Sequence, residues 1–123
     1  MREIEFRGWN KKTAKWHHGN LLRYANGINT ILHPRGSETG VEPETVGQYV
    51  GFTDRNGRRI YEGDLLRGDT FDGLARVMWF TLRGKLVLRG RDFNKDLWAY
   101  DGKMAEIVGN VHDNLDMARG LYE

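Results

Sequence analysis

The sequence predicts a mostly β protein: a small barrel or two packed sheets, with a long surface loop at about residues 25–46 and a short C-terminal helix. Three observations carry this expectation. Short apolar runs of period two recur along the chain, and no long stretch repeats apolar residues at helical spacing. The 16 Gly are scattered, and many of them separate one run from the next, as in small barrels. Both prolines, Pro34 and Pro43, fall in "ANGINTILHPRGSETGVEPETV", which reads as connection rather than core.

The elements follow in order. In "REIEFRGW", Ile4 and Phe6 point one way while Glu3, Glu5 and Arg7 point the other, the pattern of an amphipathic edge strand. "AKWHHGNLLRY" supplies a second strand near Lys15–His18 with a continuation through Leu21–Tyr24. The 25–46 excursion contains one short strand, Ile28–Leu32. Strand signals then return at Tyr49–Thr53, Arg59–Tyr61, Leu65–Arg67, Leu74–Thr81, Lys85–Leu88, Leu97–Tyr100 and Ala105–Val111. The tail "DNLDMARG" forms one or two helical turns, with Asp113 or Asn114 as cap and Gly120 as stop.

Composition sets limits on class. A chain of 123 residues with 39% hydrophobic residues, four Trp, five Tyr and five Phe supports one modest core in a single domain, 1–123. The absence of Cys removes disulfides, thiolate zinc sites and a Cys nucleophile. "MREIEFRGW" lacks the apolar stretch of a signal peptide. No apolar run approaches the roughly 20 residues that cross a bilayer. A cytoplasmic protein without membrane contact is expected. Net charge is only +2, but it alternates in blocks: +5 over 1–36, −4 over 37–72, +5 over 73–91 and −4 over 92–123. Such blocks either neutralise one another across a sheet or build opposed basic and acidic faces.

"TDRNGRRIYEGDLLRG", residues 53–68, is the densest cluster of candidate chemistry. Asp54, Glu62 and Asp64 would suit a Mg²⁺-dependent hydrolase if they converged on one ion. Local chemistry offers another reason for each. Asp54-Arg55-Asn56-Gly57 suits a hairpin connection, with Asp bonding the backbone ahead and Gly57 taking positive φ. Glu62-Gly63-Asp64 suits a second reversal between Ile60-Tyr61 and Leu65-Leu66. Gly63 makes a regular strand there unfavourable, and no Glu-x-Lys follows. No catalytic residue, metal ligand set or cofactor is therefore assigned. His17 and His18 are adjacent and face opposite ways in a strand, while His33 and His112 lie far along the chain. Ser37, the only serine, sits in a Pro/Gly-rich segment without a nucleophile elbow. Neither a phosphate-binding nor a dinucleotide-binding glycine motif occurs.

"ARVMWFTLRGKLVLRGR", residues 75–91, is the leading ligand-binding candidate. Arg76, Arg83, Lys85, Arg89 and Arg91 surround Trp79 and Phe80 with no acid among them. Cations with exposed aromatics on a small β-fold bind single-stranded nucleic acid through phosphates and stacking. Plain alternation explains the aromatics as well, with Val77 and Trp79 facing a core and Arg83-Gly84-Lys85 at a hairpin tip. Trp9 and Trp16, near Lys11, Lys12 and Lys15, form a second patch of the same kind.

Three segments together resemble the YopX family of small phage and prophage proteins: "IEFRGWNKKTAKW" at the start, "GQYVGFTDRNGRRIYEGDLLRG" at 47–68 and "EIVGNVHDN" at 106–114. Gly51, Asp54, Asn56, Gly57, Ile60, Tyr61, Glu62, Gly63, Asp64, Gly109 and Asn110 carry that likeness. Val50 stands where such proteins often have Thr, and Leu115 where Pro commonly follows the Asn. The resemblance implies an SH3-like barrel or β-roll and a phage or prophage origin, and it brings no catalytic residues with it. The expected function is that of a non-enzymatic accessory protein binding a host or phage protein, or itself. Nucleic-acid binding through the 75–91 stretch is the first alternative, and a metal-dependent hydrolase using the 54–64 carboxylates the second.

Overall fold

A computed structural model describes residues 2–121. The protein is mostly β, with eleven strands in antiparallel pairings and two short helices among the described residues. The chain forms two compact units, Met1–Tyr49 and Val50–Glu123.

In the first unit, β1 (Phe6–Asn10) and β2 (Lys15–Arg23) form a hairpin with Trp9 opposite Trp16. The Asn10 side chain closes its turn by accepting from the Thr13 amide at 2.8 Å and the Thr13 hydroxyl at 3.0 Å. The second half of β2 pairs with β3 (Asn29–Leu32), and β3 with β4 (Glu38–Val41), so the order is β4-β3-β2-β1. Residues 47 and 48, at the start of β5 (Gly47–Thr53), run alongside β1. The expected long loop is thus corrected: 25–46 holds the β3–β4 hairpin and a 3-10 turn at Pro43–Thr45. Its Gly and Pro are hairpin punctuation. The His33 amide donates to Ser37 O, and the Gly36 amide to His33 O, each at 2.8 Å, which brings β3 and β4 into register. Ile31 and Val41 are the buried apolar residues of these two strands.

In the second unit, the rest of β5 forms a hairpin with β6 (Arg59–Tyr61). A five-stranded sheet follows, ordered β10-β9-β8-β7-β11. Its members are β7 (Asp64–Gly68), β8 (Leu74–Phe80), β9 (Lys85–Arg89), β10 (Asn94–Asp96) and β11 (Ala105–Asn110). Helix α1 (Ala99–Lys103) lies between β10 and β11, and α2 (Leu115–Ala118) is the last element among the described residues. Both faces of this sheet are packed. Leu66, Ala75, Val77, Leu88 and Ala105 face one cluster with Val50, Ile60 and Leu97. Leu65 faces the other with Val111, Ala118 and Leu121. Adjacent Leu65 and Leu66 feed opposite cores because side chains alternate across a strand.

Two further expectations are corrected. Leu97–Tyr100 is not a strand: Trp98 caps α1, because the buried Asp101 carboxylate reaches back to the Trp98 amide at 2.9 Å. A Cβ on Gly102 would stand 2.7 Å from the Phe52 ring, so this turn sits against the core only as glycine. The preceding triplet Asn94–Asp96, wholly polar, is the edge strand β10, paired with Val87–Arg89. The SH3-like barrel is not found as a closed barrel. Among the described residues the five-stranded sheet ends at two unpaired edges, β10 and β11.

Candidate functional site

Asp54 shows what the opening acidic cluster does. It is buried, and its Oδ1 accepts from the amides of Asn56 and Arg58, both at 2.9 Å. Its Oδ2 accepts from the Ile107 amide at 3.0 Å, with the Arg58 guanidinium 3.4 Å away. The Asp54 amide itself donates to Arg58 O at 2.8 Å, closing the hairpin, and Gly57 takes φ 80. Burial pushes this carboxyl up, but the three amides and Arg58 more than offset it, so it titrates below its ordinary 3.8. Both oxygens thus serve the backbone, one within the turn and one across to β11.

The second reversal has the same design. Asp64 is buried, and its Oδ2 accepts from the Tyr61 amide at 2.7 Å. The Gly63 amide donates to Val77 O, and Gly63 O accepts from the Val111 amide, both at 2.8 Å. Glu62 between them is half-buried, and Gly51 upstream is an exposed position of β5 with φ 104. At the far end Asn110 is the hub of the closing turn. Its Oδ1 accepts from the amides of His112 and Asp113 at 3.0 and 2.9 Å, and its Nδ2 donates to Asp113 Oδ2 at 3.0 Å. Gly109 precedes it, just past a register shift in β11. Among the described residues no three His, Asp or Glu side chains are placed to share a metal ion.

A fourth site of this type escaped sequence reasoning. Asp101 is buried, and beyond the Trp98 amide it accepts from Lys95 Nζ at 2.6 Å and the Thr70 hydroxyl at 2.5 Å. Burial pushes its carboxyl up, and Lys95, Thr70 and the amide bring it below 3.8. Its side-chain partners lie 31 and 6 residues away, and only the bond to the Trp98 amide is local.

The five cations of 75–91 do not gather on one patch. Arg76 and Arg89 are directly opposite across β8 and β9, on the Leu65 side of the sheet. Lys85 is held by Asp96 at 2.8 Å. Arg83 is exposed at the hairpin tip, and Arg91 lies at the other end of the sheet, beyond β9. The aromatics separate as well. Trp9 and Trp16 are half-buried, edge to face with ring centres 5.5 Å apart, and the Arg7 guanidinium lies 4.8 Å over Trp16. Trp79, by contrast, is 50% exposed, and Trp98, Tyr100 and Leu82 are 65%, 62% and 89% exposed. Trp79 opposes Leu86, and the Leu97 amide donates to Leu86 O at 3.2 Å. These four exposed residues therefore belong to one end of the β8–β9–β10 sheet, where no sequence signal separated them from core aromatics.

His17 and His33 meet edge to face at 5.3 Å, and His33 Nε2 lies 3.1 Å from the Thr39 hydroxyl. Burial lowers the His17 pKa from 6.5, assisted by repulsion from His33 and Lys15.

The fold and these sites define a small all-β protein in which the buried Asp54, Asp64, Asp101 and Asn110 side chains serve turns, a helix cap and strand joints. The chain belongs to the YopX family: the family model described as "YopX protein" matches residues 5–117. No curated protein matches it. Among the described residues no helix is long and apolar enough to cross a membrane.

Proposed function

We propose that the protein is a non-enzymatic accessory protein of a phage or prophage, acting in the host cytoplasm by binding another protein. One observation carries this reading: Trp79, Leu82, Trp98 and Tyr100 are each exposed, and all four lie in segments at the same end of the β8–β9–β10 sheet. Exposed Trp and Tyr are the residue types that dominate protein–protein hot spots. The charges beside them are mixed, with Arg83 and Lys103 exposed and Lys85 neutralised by Asp96. A protein surface that is apolar and edged with carboxylates complements this end. Affinity capture from cells carrying the phage or prophage tests it. Proteins retained by the wild-type chain are expected to be lost with Trp79→Ser and Trp98→Ser. Identical capture by wild type and double variant would overturn the reading, and light scattering reads self-association through the same residues.

Exposure of Trp79 beside Arg83 also supports a second reading, binding of single-stranded nucleic acid by stacking. It ranks below the first because the five cations are dispersed and Lys85 is already paired. Binding that weakens steeply with salt and is lost in Arg83→Glu would favour it; no retardation at low salt would remove it. The hydrolase reading ranks last, since Asp54 and Asp64 already accept from backbone amides.

A further inference from the structure

We infer that the end of the five-stranded sheet opposite the exposed aromatics holds a binding site for a nucleoside monophosphate. A cavity of about 680 Å³ opens there, within the range of small-molecule sites. Three elements each bring a guanidinium to its wall: Arg67 from β7, Arg91 from the β9–β10 connection and Arg119 from the end of α2. Arg91 reaches the tail, its Nε standing 3.7 Å from the position a Cβ would take on Gly120.

These cations are not accounted for by ion pairing. Among the described residues neither Arg67 nor Arg91 has a carboxylate within salt-bridge distance. Arg119 has only Asp116, at 3.5 Å, in a pair so exposed that it contributes little. Asp72 and Asp92 line the same cavity without pairing to the arginines. Three arginines line one cavity, and among the described residues two of them have no ion-pair partner and the third only an exposed one, which leaves the lining net positive and suited to an anion; the planar fork of Arg suits phosphate.

The remaining lining narrows the ligand. Phe93 forms an aromatic wall with Leu74 nearby. Its ring is held over Gly90, where a Cβ would lie 2.1 Å from it, and it tilts against Phe71 at 6.0 Å. A fixed ring offers stacking to a flat heterocycle. Asp72 and Asp92 are acceptors for ligand donors such as sugar hydroxyls or an exocyclic amine. Phosphate, hydroxyl donors and a flat ring together describe a nucleotide. A zwitterionic amino acid matches less well, because the lining carries one more positive than negative charge.

Calorimetry and melting curves at low ionic strength, with the full chain and the four common ribonucleoside monophosphates, test this. At least one is expected to bind saturably and raise the melting temperature. Inorganic phosphate and the corresponding nucleoside are each expected to bind at least about tenfold more weakly. Arg67→Glu with Arg91→Glu is expected to weaken the nucleotide at least about tenfold, by loss of charge-assisted bonds. Both side chains are exposed, and an unchanged ligand-free melt shows that the variant folds. Arg23→Glu, at the exposed C-terminal end of β2 in the other unit, is the control and should bind normally. No saturable binding, equal binding of inorganic phosphate, or full affinity in the double variant would each overturn the inference. Should the double variant fail to fold, Phe93→Leu replaces it; full nucleotide affinity in that variant would likewise overturn the inference.

Discussion

The two compact units are built from the same hairpins but cohere differently. Val50–Glu123 sandwiches a sheet between apolar clusters of eight and four buried residues. Among the described residues, Met1–Tyr49 buries only Ile31, Val41 and Tyr49 of its apolar side chains. Its buried polar or charged residues are Arg7, Asn29, Thr30 and Thr45, and its rings associate through edges and a guanidinium. Strand pairing alone thus does not fix how a sheet is held. The second unit combines a large apolar area removed from water with buried Asp and Asn hubs, whereas the first, with few buried apolar side chains, depends more heavily on directed bonds.

Four measurements sharpen or break this contrast. The largest effect is expected from Leu66→Ala or Leu88→Ala in the second unit, a loss of about 2–5 kcal/mol in chemical unfolding. Next is Asp54→Ala. It strips acceptors from three amides, two of the turn and that of Ile107 in β11, and should cost about 3 kcal/mol. Amide exchange should rise at both the 53–58 turn and β11; a rise at the turn alone would show that the link to Ile107 carries no stability.

Smaller effects belong to the first unit. Thr45→Val removes the acceptor for the Trp9 amide at 2.9 Å and the donor to Glu42 O at 2.7 Å. The expected loss is about 1–2 kcal/mol, read as faster exchange in β1. The smallest is a difference in pH response. The folded state lowers His17 below 6.5, so its contribution is complete above that value and is lost as pH falls through the lowered pKa. Asp54 and Asp101 are also lowered, from 3.8. Their contribution is present above that value and lost only as pH falls further. Exchange mapped from pH 7 downward should therefore loosen the first unit before the second, and His17→Gln should remove that early step. Simultaneous loosening would break the comparison.

What could be read from sequence depended on how far each residue's reason lies from it. Asp54 bonds amides two and four residues ahead, and the turn was legible from that spacing. The alternation of β8 placed Val77 in the core for the same reason. Asp101 was illegible because Thr70 and Lys95 come to it from other elements. The polar triplet of β10 has no apolar signature; pairing with β9 alone makes it a strand. The 25–46 segment was misread because Gly and Pro mark hairpin turns and loops alike. The basic run looked like one patch, but register sends Arg76 and Arg89 to a sheet face and Arg91 to a cavity with Arg67 and Arg119.

The neighbours Leu65 and Leu66 have a consequence for how this chain tolerates change in length. Each belongs to a different core, so β7 behaves like a line of text read on alternate letters. Deleting one residue ahead of Leu65 would carry Arg67 into the core position of Leu66, and inserting one there would carry Leu66 to the exposed position of Arg67. Substitutions there are graded insults; a frame slip is a change of meaning. Growth and shrinkage of this protein are thereby confined to joints such as 69–73, where no strand has to be kept in step.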